Sequence, residues 1–184
     1  MDIQHDRAGY YICWGCMVWV PCVYTSQTFY LIDHPVHLSL PVAALNFVAG
    51  VLAIWCNYDA DNQRWLCRSS NGECKIWGAK PDVIVAKYTV GDGADKKEKT
   101  SLLLVSGWWS ISRHFHYVPE ILASFLWSCP AGFDSFMPYF YVVYLTILLV
   151  DRAWRDDERC SNKYGKHWAK YCERVPWKIV PGIA

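Results

Sequence analysis

The sequence predicts an all-α fold, a multi-pass transmembrane helical bundle. Three observations carry that expectation. The chain is 53% hydrophobic and 16% aromatic, with 11 Trp and 12 Tyr, heavier than the ~45–50% apolar content of ordinary soluble domains. Its net charge of +1 conceals segregation, because charged residues gather in 1–7, 57–100 and 151–178 and the stretches between them are nearly charge-free. That is how membrane segments alternate with aqueous loops. Finally, several apolar runs approach the ~17–20 residues that a spanning helix needs. A length of 184 residues fits one domain. Membrane lipid is the expected surrounding, and no nucleic-acid partner is expected.

The opening cluster Asp2, His5, Asp6 and Arg7 reads as a solvated terminus or a polar site at the cytoplasmic edge, and not as a secretory signal. A first span is expected over about 8–25, kinked at Pro21. A second is expected over 36–56, interrupted by Pro41 and Gly50. Residues 57–100 read as a polar loop, with turns at Asn71-Gly72 and Gly91-Asp92-Gly93. Within it, the β-branched run Val83–Val90 suits a short strand, and Lys96-Lys97-Glu98-Lys99 is a solvated charge run. Leu102–Ile111 is apolar but too short to cross a bilayer alone. Residues 121–150 are apolar but broken by Pro130, Gly132, Asp134 and Pro138, which predicts a helix pair with a re-entrant turn or two half-spans. An amphipathic terminal helix is expected over 151–172, and the Val175-Pro176-Trp177 and Pro181-Gly182 sequences cannot prolong it.

The chemistry concentrates in that terminal helix. At 100° per residue, Arg152, Arg155, Asp156, Arg159 and Lys163 share an arc of about 100°, with Tyr164, Trp168 and Tyr171 on a neighbouring face. Such a face is an anion site or a membrane-surface anchor. The interspersed Asp and Glu oppose anionic headgroups and favour a structured anion pocket. Asp156 stands out because it follows an apolar span. Cys13-Trp14-Gly15-Cys16 lies inside an apolar run, so packing is expected there and not redox chemistry; the nine Cys read as small buried hydrophobes. His114 and His116 have too few companions for zinc, so no metal is expected, and contact with a polar ligand is. Gly91-Asp92-Gly93 lacks the third glycine of a Rossmann turn. A dinucleotide would have to be held by guanidinium and ammonium groups instead.

The run from Lys99 to Tyr117, which contains Leu103-Leu104-Val105-Ser106-Gly107-Trp108-Trp109 and Arg113-His114, closely resembles a signature of the sterol reductase family. The stretch from Arg155 to Ile183, with Lys163-Tyr164-Gly165 and Val175-Pro176-Trp177, is similar to that family's second signature. The resemblance covers essentially all of the chain but only the C-terminal half of the family's fold, so a fragment or truncated copy is expected. It implies a multi-pass enzyme of the endoplasmic reticulum membrane that uses NADPH to reduce a sterol double bond. The opening Met1-Asp2-Ile3-Gln4-His5-Asp6-Arg7 favours the branch that reduces C7=C8 of delta-5,7 sterols. Delta-14 or C24(28) reduction, a non-catalytic sterol-binding homologue and an isoprenylcysteine-type methyltransferase are the alternatives. The chain alone is expected to be inactive because part of the sterol pocket is missing, and association with other sterol-pathway enzymes is a further expectation.

Motif matching carries the family's cofactor contacts onto Arg64, Arg68, Leu104, Trp109, His116, Tyr117, Asp156, Cys160, Ser161, Asn162, Lys163, Tyr164 and Tyr171. Arg64, Arg68 and Lys163 are the expected phosphate clamp. An isolated alkene accepts hydride only when it is protonated, so a proton donor in a dry pocket is needed. Asp156, or Tyr24 or Tyr30, is expected to supply or relay that proton.

Overall fold

The computed structural model describes residues 13–90 and 97–183. The charged cluster at 2–7, the start of the first expected span and the Gly91-Asp92-Gly93 turn lie outside the described residues. The chain is mostly helical, with one β-hairpin. The all-α expectation is therefore corrected in that one respect.

Pro21 gives no N–H to a helical ladder, and Gly15–Tyr24 winds as a π-helix around it. Helix α1, Ser26–Asp33, ends at His34, directly before Pro35, where the α conformation is disfavoured. Helix α2, Leu40–Ser69, starts from an extended Ser39 with Pro41 in its first turn. It continues 13 residues beyond the expected end at 56, so 57–69 is helix and not loop. The sequence hides this because the segment is polar. Its ladder is supported by Asp61 and Arg64, 2.9 Å apart at i,i+3. Ala53, Ala60, Gln63 and Cys67 form a buried stripe down one side, while Leu45, Phe47, Leu52, Ile54 and Trp55 face outward. Among the described residues, α2 is the one helix long and apolar enough to cross a membrane. Gly72 N–H closes it on the Cys67 carbonyl at 2.8 Å, at the Asn71-Gly72 turn.

Strands β1, Val83–Val90, and β2, Lys97–Leu104, pair antiparallel from Val83↔Leu104 to Val90↔Lys97. The period of two divides their side chains between two cores. Ile84, Ala86, Tyr88 and Leu103 pack on the C-terminal Tyr164, Trp168, Tyr171 and Val175. Val83, Leu102 and Leu104 pack on Cys67, Ile76 and Trp109. The hairpin is thus wedged between the end of α2 and the C-terminal helices.

The expected break inside 121–150 is present. Helix α3, Tyr117–Ser128, is followed by short 3-10 turns at Cys129–Ala131 and Met137–Tyr139, each containing a proline. The boundary expected at 150 is absent. Helix α4, Phe140–Tyr164, runs continuously from the apolar stretch into the charged one. Val142, Leu145, Leu149 and Ala153 are buried at helical spacing across that boundary, and Asp151 pairs with Arg155 at 2.8 Å on the outer side. The helix stops at Gly165, whose φ of 50° suits glycine, and α5, Lys166–Arg174, begins directly after it.

Candidate functional site

The Gly107–Ser110 turn positions the site by docking on α2. Trp108 Nε1 donates to Asp59 Oδ2 at 2.7 Å, and Trp108 N donates to Gln63 Oε1 at 3.2 Å. Gln63 Nε2 donates to the same Asp59 oxygen at 2.7 Å. Trp109 Nε1 donates to the Ala60 carbonyl at 2.7 Å. The approach is so close that a Cβ on Gly107, which has a φ of +63°, would meet Gln63 Oε1 at 2.0 Å. Trp109 is held under the Arg64 guanidinium, whose Cζ stands 4.4 Å from the ring centroid.

A second staple holds the C-terminal tail. Arg113 N donates to the Trp177 carbonyl at 3.0 Å and His114 N to the Lys178 carbonyl at 2.8 Å. The buried Arg113 guanidinium donates to the Val175 and Pro176 carbonyls at 2.7 and 3.0 Å. Asp157 balances it, with one oxygen 3.5 Å from Arg113 Nε and accepting from Trp168 Nε1 at 3.1 Å, and the other 3.3 Å from Lys178 Nζ.

Between the two staples lies a cavity of about 80 Å³. Arg64, Arg68 and Arg113 give its wall three guanidinium groups, against the single carboxylate of Asp156. Trp109, Tyr164, Trp168 and Tyr171 supply aromatic surface, and Leu103, Leu104 and Cys160 supply apolar surface. His114 completes the lining. Burial, reinforced by Arg113 and Arg64, holds its imidazole down to about 4 against the pull of Asp156. His116 is pushed down to about 3, by burial first and then by Arg64. Both imidazoles are therefore neutral near pH 7, and the surplus of positive charge resides on arginine. Burial and Asp156 raise the Cys160 thiol to about 12, so it is no thiolate nucleophile. Such a wall can hold an anion and stack a ring.

The residues singled out from sequence divide into three groups. Arg64, Arg68, Leu104, Trp109, Asp156, Cys160, Tyr164 and Tyr171 line the cavity. His116 and Tyr117 stand behind the wall, with the His116 ring 5.1 Å from Trp109 and 4.3 Å from Tyr117. Ser161, Asn162 and Lys163 are exposed on α4 and line nothing there. Lys163 Nζ instead lies 4.3 Å over the Tyr88 ring, where it pins the hairpin to α4. Of the proton-relay candidates, Asp156 alone reaches the cavity, where it is salt-bridged to Arg159. Tyr24 packs on Trp127 and Tyr141, and Tyr30 stacks on His34 at 4.4 Å. Arg113, Leu103 and Trp168 line the cavity without having been assigned to it from sequence, and they are joined by His114, for which a polar-ligand contact was expected. The adjacency of Arg113 and His114 to His116 was the available signal.

The sequence matches the ergosterol biosynthesis ERG4/ERG24 family over residues 1–184. The chain belongs to that family. It is similar to the 7-dehydrocholesterol reductase of Arabidopsis thaliana, 60% identical over 183 residues, covering 100% of this chain and 42% of that protein. It is also similar to the 7-dehydrocholesterol reductase of Xenopus laevis, 42% identical across 100% of the chain and 38% of the relative. The Delta(14)-sterol reductase of Methylotuvimicrobium alcaliphilum is 41% identical across 99% of the chain and 40% of the relative. The chain thus spans about two fifths of the length of these ERG4/ERG24 relatives.

Proposed function

We propose that the chain forms the NADPH-binding part of a sterol reductase that reduces the C7=C8 bond of delta-5,7 sterols, within a multi-pass helical bundle of the endoplasmic reticulum membrane. The observation that carries this reading is the cavity in which Arg64, Arg68 and Trp109 from two distant segments meet Asp156, Tyr164 and Tyr171 from the C-terminal helices. The donor set suits a phosphorylated dinucleotide. Guanidinium groups bind phosphate oxygens with charge-assisted bonds, and the buried His114 Nε2 has no hydrogen-bond partner among the described residues. Arg64 and Arg68 hold phosphate in this reading, and Trp109, Tyr164 and Tyr171 shield the bound group from water. When bound, NADPH supplies the hydride. Asp156 takes the proton-relay role over Tyr24 and Tyr30 because of its place in the cavity wall. Its carboxylate is paired there to Arg159. The relative named 7-dehydrocholesterol reductase at 60% identity supports reduction in ring B. A delta-14 specificity is the second reading, favoured by a bacterial relative of that name at 41% identity.

The test joins this chain behind the preceding part of the Arabidopsis relative and expresses the product in yeast that accumulates delta-5,7 sterols. Mass spectrometry of the sterols should show loss of the C7 double bond. Conversion of delta-8,14 sterols instead would favour the second reading. Neither conversion, from a protein made at normal level, would overturn both.

A further inference from the structure

The segment after α2 carries a tryptophan on the tip of a tight turn. Ile76 and Ala79 bridge each other, N–H to carbonyl at 2.9 and 3.1 Å, with Trp77 and Gly78 between them. Both turn residues have positive φ, 50° for Trp77 and 84° for Gly78. Turns of that kind favour Asn or Asp before Gly, and a bulky ring at such a φ is strained. Ile76 roots the turn in the core beside Cys67 and Trp109, yet Trp77 is 63% exposed. Its ring meets Trp108 edge-on at 5.1 Å, which fixes the indole without covering it. A strained turn that holds an indole outward needs something outside it to cover the ring.

The level of the turn identifies that cover. Residues 40–58 of α2 carry no charge, and at ~1.5 Å per residue they extend about 28 Å, close to the ~30 Å of bilayer hydrocarbon. Asp59 is the first charge after them, so in the membrane reading above α2 leaves the hydrocarbon there. Trp108 Nε1 bonds to Asp59 at 2.7 Å, and Trp77 touches Trp108. Trp77 is thereby tied to the polar edge of the bilayer, which favours tryptophan because its ring is apolar and its N–H polar. Tyr58 and Trp65 are exposed on α2 close to the same level. Lys75 and Lys80 flank the tip and are exposed, against one carboxylate, Glu73, within 73–80. Ammonium groups so placed complement anionic headgroups.

We propose that the turn at 75–80 is a membrane-surface anchor, which lays Trp77 among lipid headgroups and sets Lys75 and Lys80 on anionic ones. The inference rests on the membrane placement above and is independent of the nucleotide site. Through Trp108, the anchor ties the Gly107–Ser110 turn to the bilayer surface.

The test uses the whole chain, made with fluorotryptophan and placed in nanodiscs of phosphatidylcholine and phosphatidylserine. The fluorine resonance that vanishes in Trp77→Phe, or in Trp77→Tyr if the first variant misfolds, belongs to Trp77. A nitroxide at the top of a lipid acyl chain should broaden that resonance away, and a nitroxide at the chain end should leave it. A Trp77 resonance untouched by the upper label would overturn the proposal, whether an aqueous gadolinium chelate reaches it or a protein segment shields it. Phosphatidylserine carrying the upper label should broaden it more than labelled phosphatidylcholine does. The Lys75→Gln, Lys80→Gln double variant should erase that difference. Equal broadening by the two lipids in the wild-type chain would overturn the anionic selectivity. Trp55, exposed on α2 within 40–58 and assigned through Trp55→Phe, is the control. If the upper label misses Trp55 as well, the membrane placement fails and this inference fails with it.

Discussion

The Trp108 indole and the Asp59 carboxylate lie 49 positions apart in sequence and 2.7 Å apart in the fold. The same Asp59 oxygen accepts from Gln63. One carboxylate thus orients the glutamine that receives the Trp108 backbone, and the adjacent Trp109 is set beneath Arg64. Replacing Asp59 with Ala strands two donors in a half-buried place, at about 1–3 kcal/mol for an unsatisfied group. The expected result is a lower thermal midpoint with loss of the tryptophan near-UV circular dichroism. An unchanged near-UV spectrum would contradict the clamp.

Gly107→Ala is expected to be more damaging than its size suggests. The added Cβ would lie 2.0 Å from Gln63 Oε1 and 2.8 Å from Ile76 Cγ2, at a φ that L residues rarely adopt. Backbone strain of this kind costs about 1–3 kcal/mol before any clash is counted. Gly50→Ala, where a Cβ meets nothing within 4 Å, should be neutral or slightly stabilising and serves as the control. Denaturant unfolding in detergent compares the two, and similar effects would contradict the account.

Asp157→Ala should free the tail without unfolding the helices. The carboxylate neutralises Arg113 and Lys178 and accepts from Trp168. Its removal leaves the buried Arg113 charge uncompensated, a loss on the order of 3 kcal/mol. Hydrogen exchange at His114, whose N–H bonds to Lys178, should accelerate in the variant while that of α2 stays slow. Unaltered exchange at His114 would remove Asp157 from the staple.

The buried imidazoles predict an acid sensitivity of definite sign. Folded His114 and His116 titrate near 4 and 3, against 6.5 ordinarily. Between those values the unfolded chain binds more protons, so folding stability falls as pH drops from about 6.5 toward 4. His116→Phe should lose less stability than wild type between pH 7 and pH 5, by up to about 2 kcal/mol at 1.36 kcal/mol per pH unit. Identical pH profiles would contradict the assignment.

Local rules read from sequence account for much of the outline. The strand at Val83–Val90 and the Asn71-Gly72 turn each follow from backbone chemistry that acts over a few residues. Two boundaries escaped such rules. Residues 57–69 are polar enough for a loop, yet Ala60, Gln63 and Cys67 face the Gly107–Ser110 turn and the hairpin, and that distant packing keeps α2 helical. The change from apolar to charged residues at 150 looks like an end, yet the buried stripe passes through it to Ala153. In the site, Arg64, Trp109 and Asp156 were legible as residue types within motifs. The exclusion of Lys163 from the cavity was not, because its contact with Tyr88 depends on where the hairpin docks. Nor was the part played by Asp157, whose partners come from three segments.

The central claim is that the cationic cavity receives a 2′-phosphorylated nicotinamide nucleotide. Titration of the chain in nanodiscs with NADPH and with NADH, followed by tryptophan-to-nicotinamide energy transfer, tests it most directly. The account predicts at least about tenfold tighter binding of NADPH, as expected for one charge-assisted contact of ~1.5–3 kcal/mol. It also predicts that the preference disappears in the Arg64→Gln, Arg68→Gln double variant. Equal affinity for the two nucleotides in the wild-type chain would contradict it.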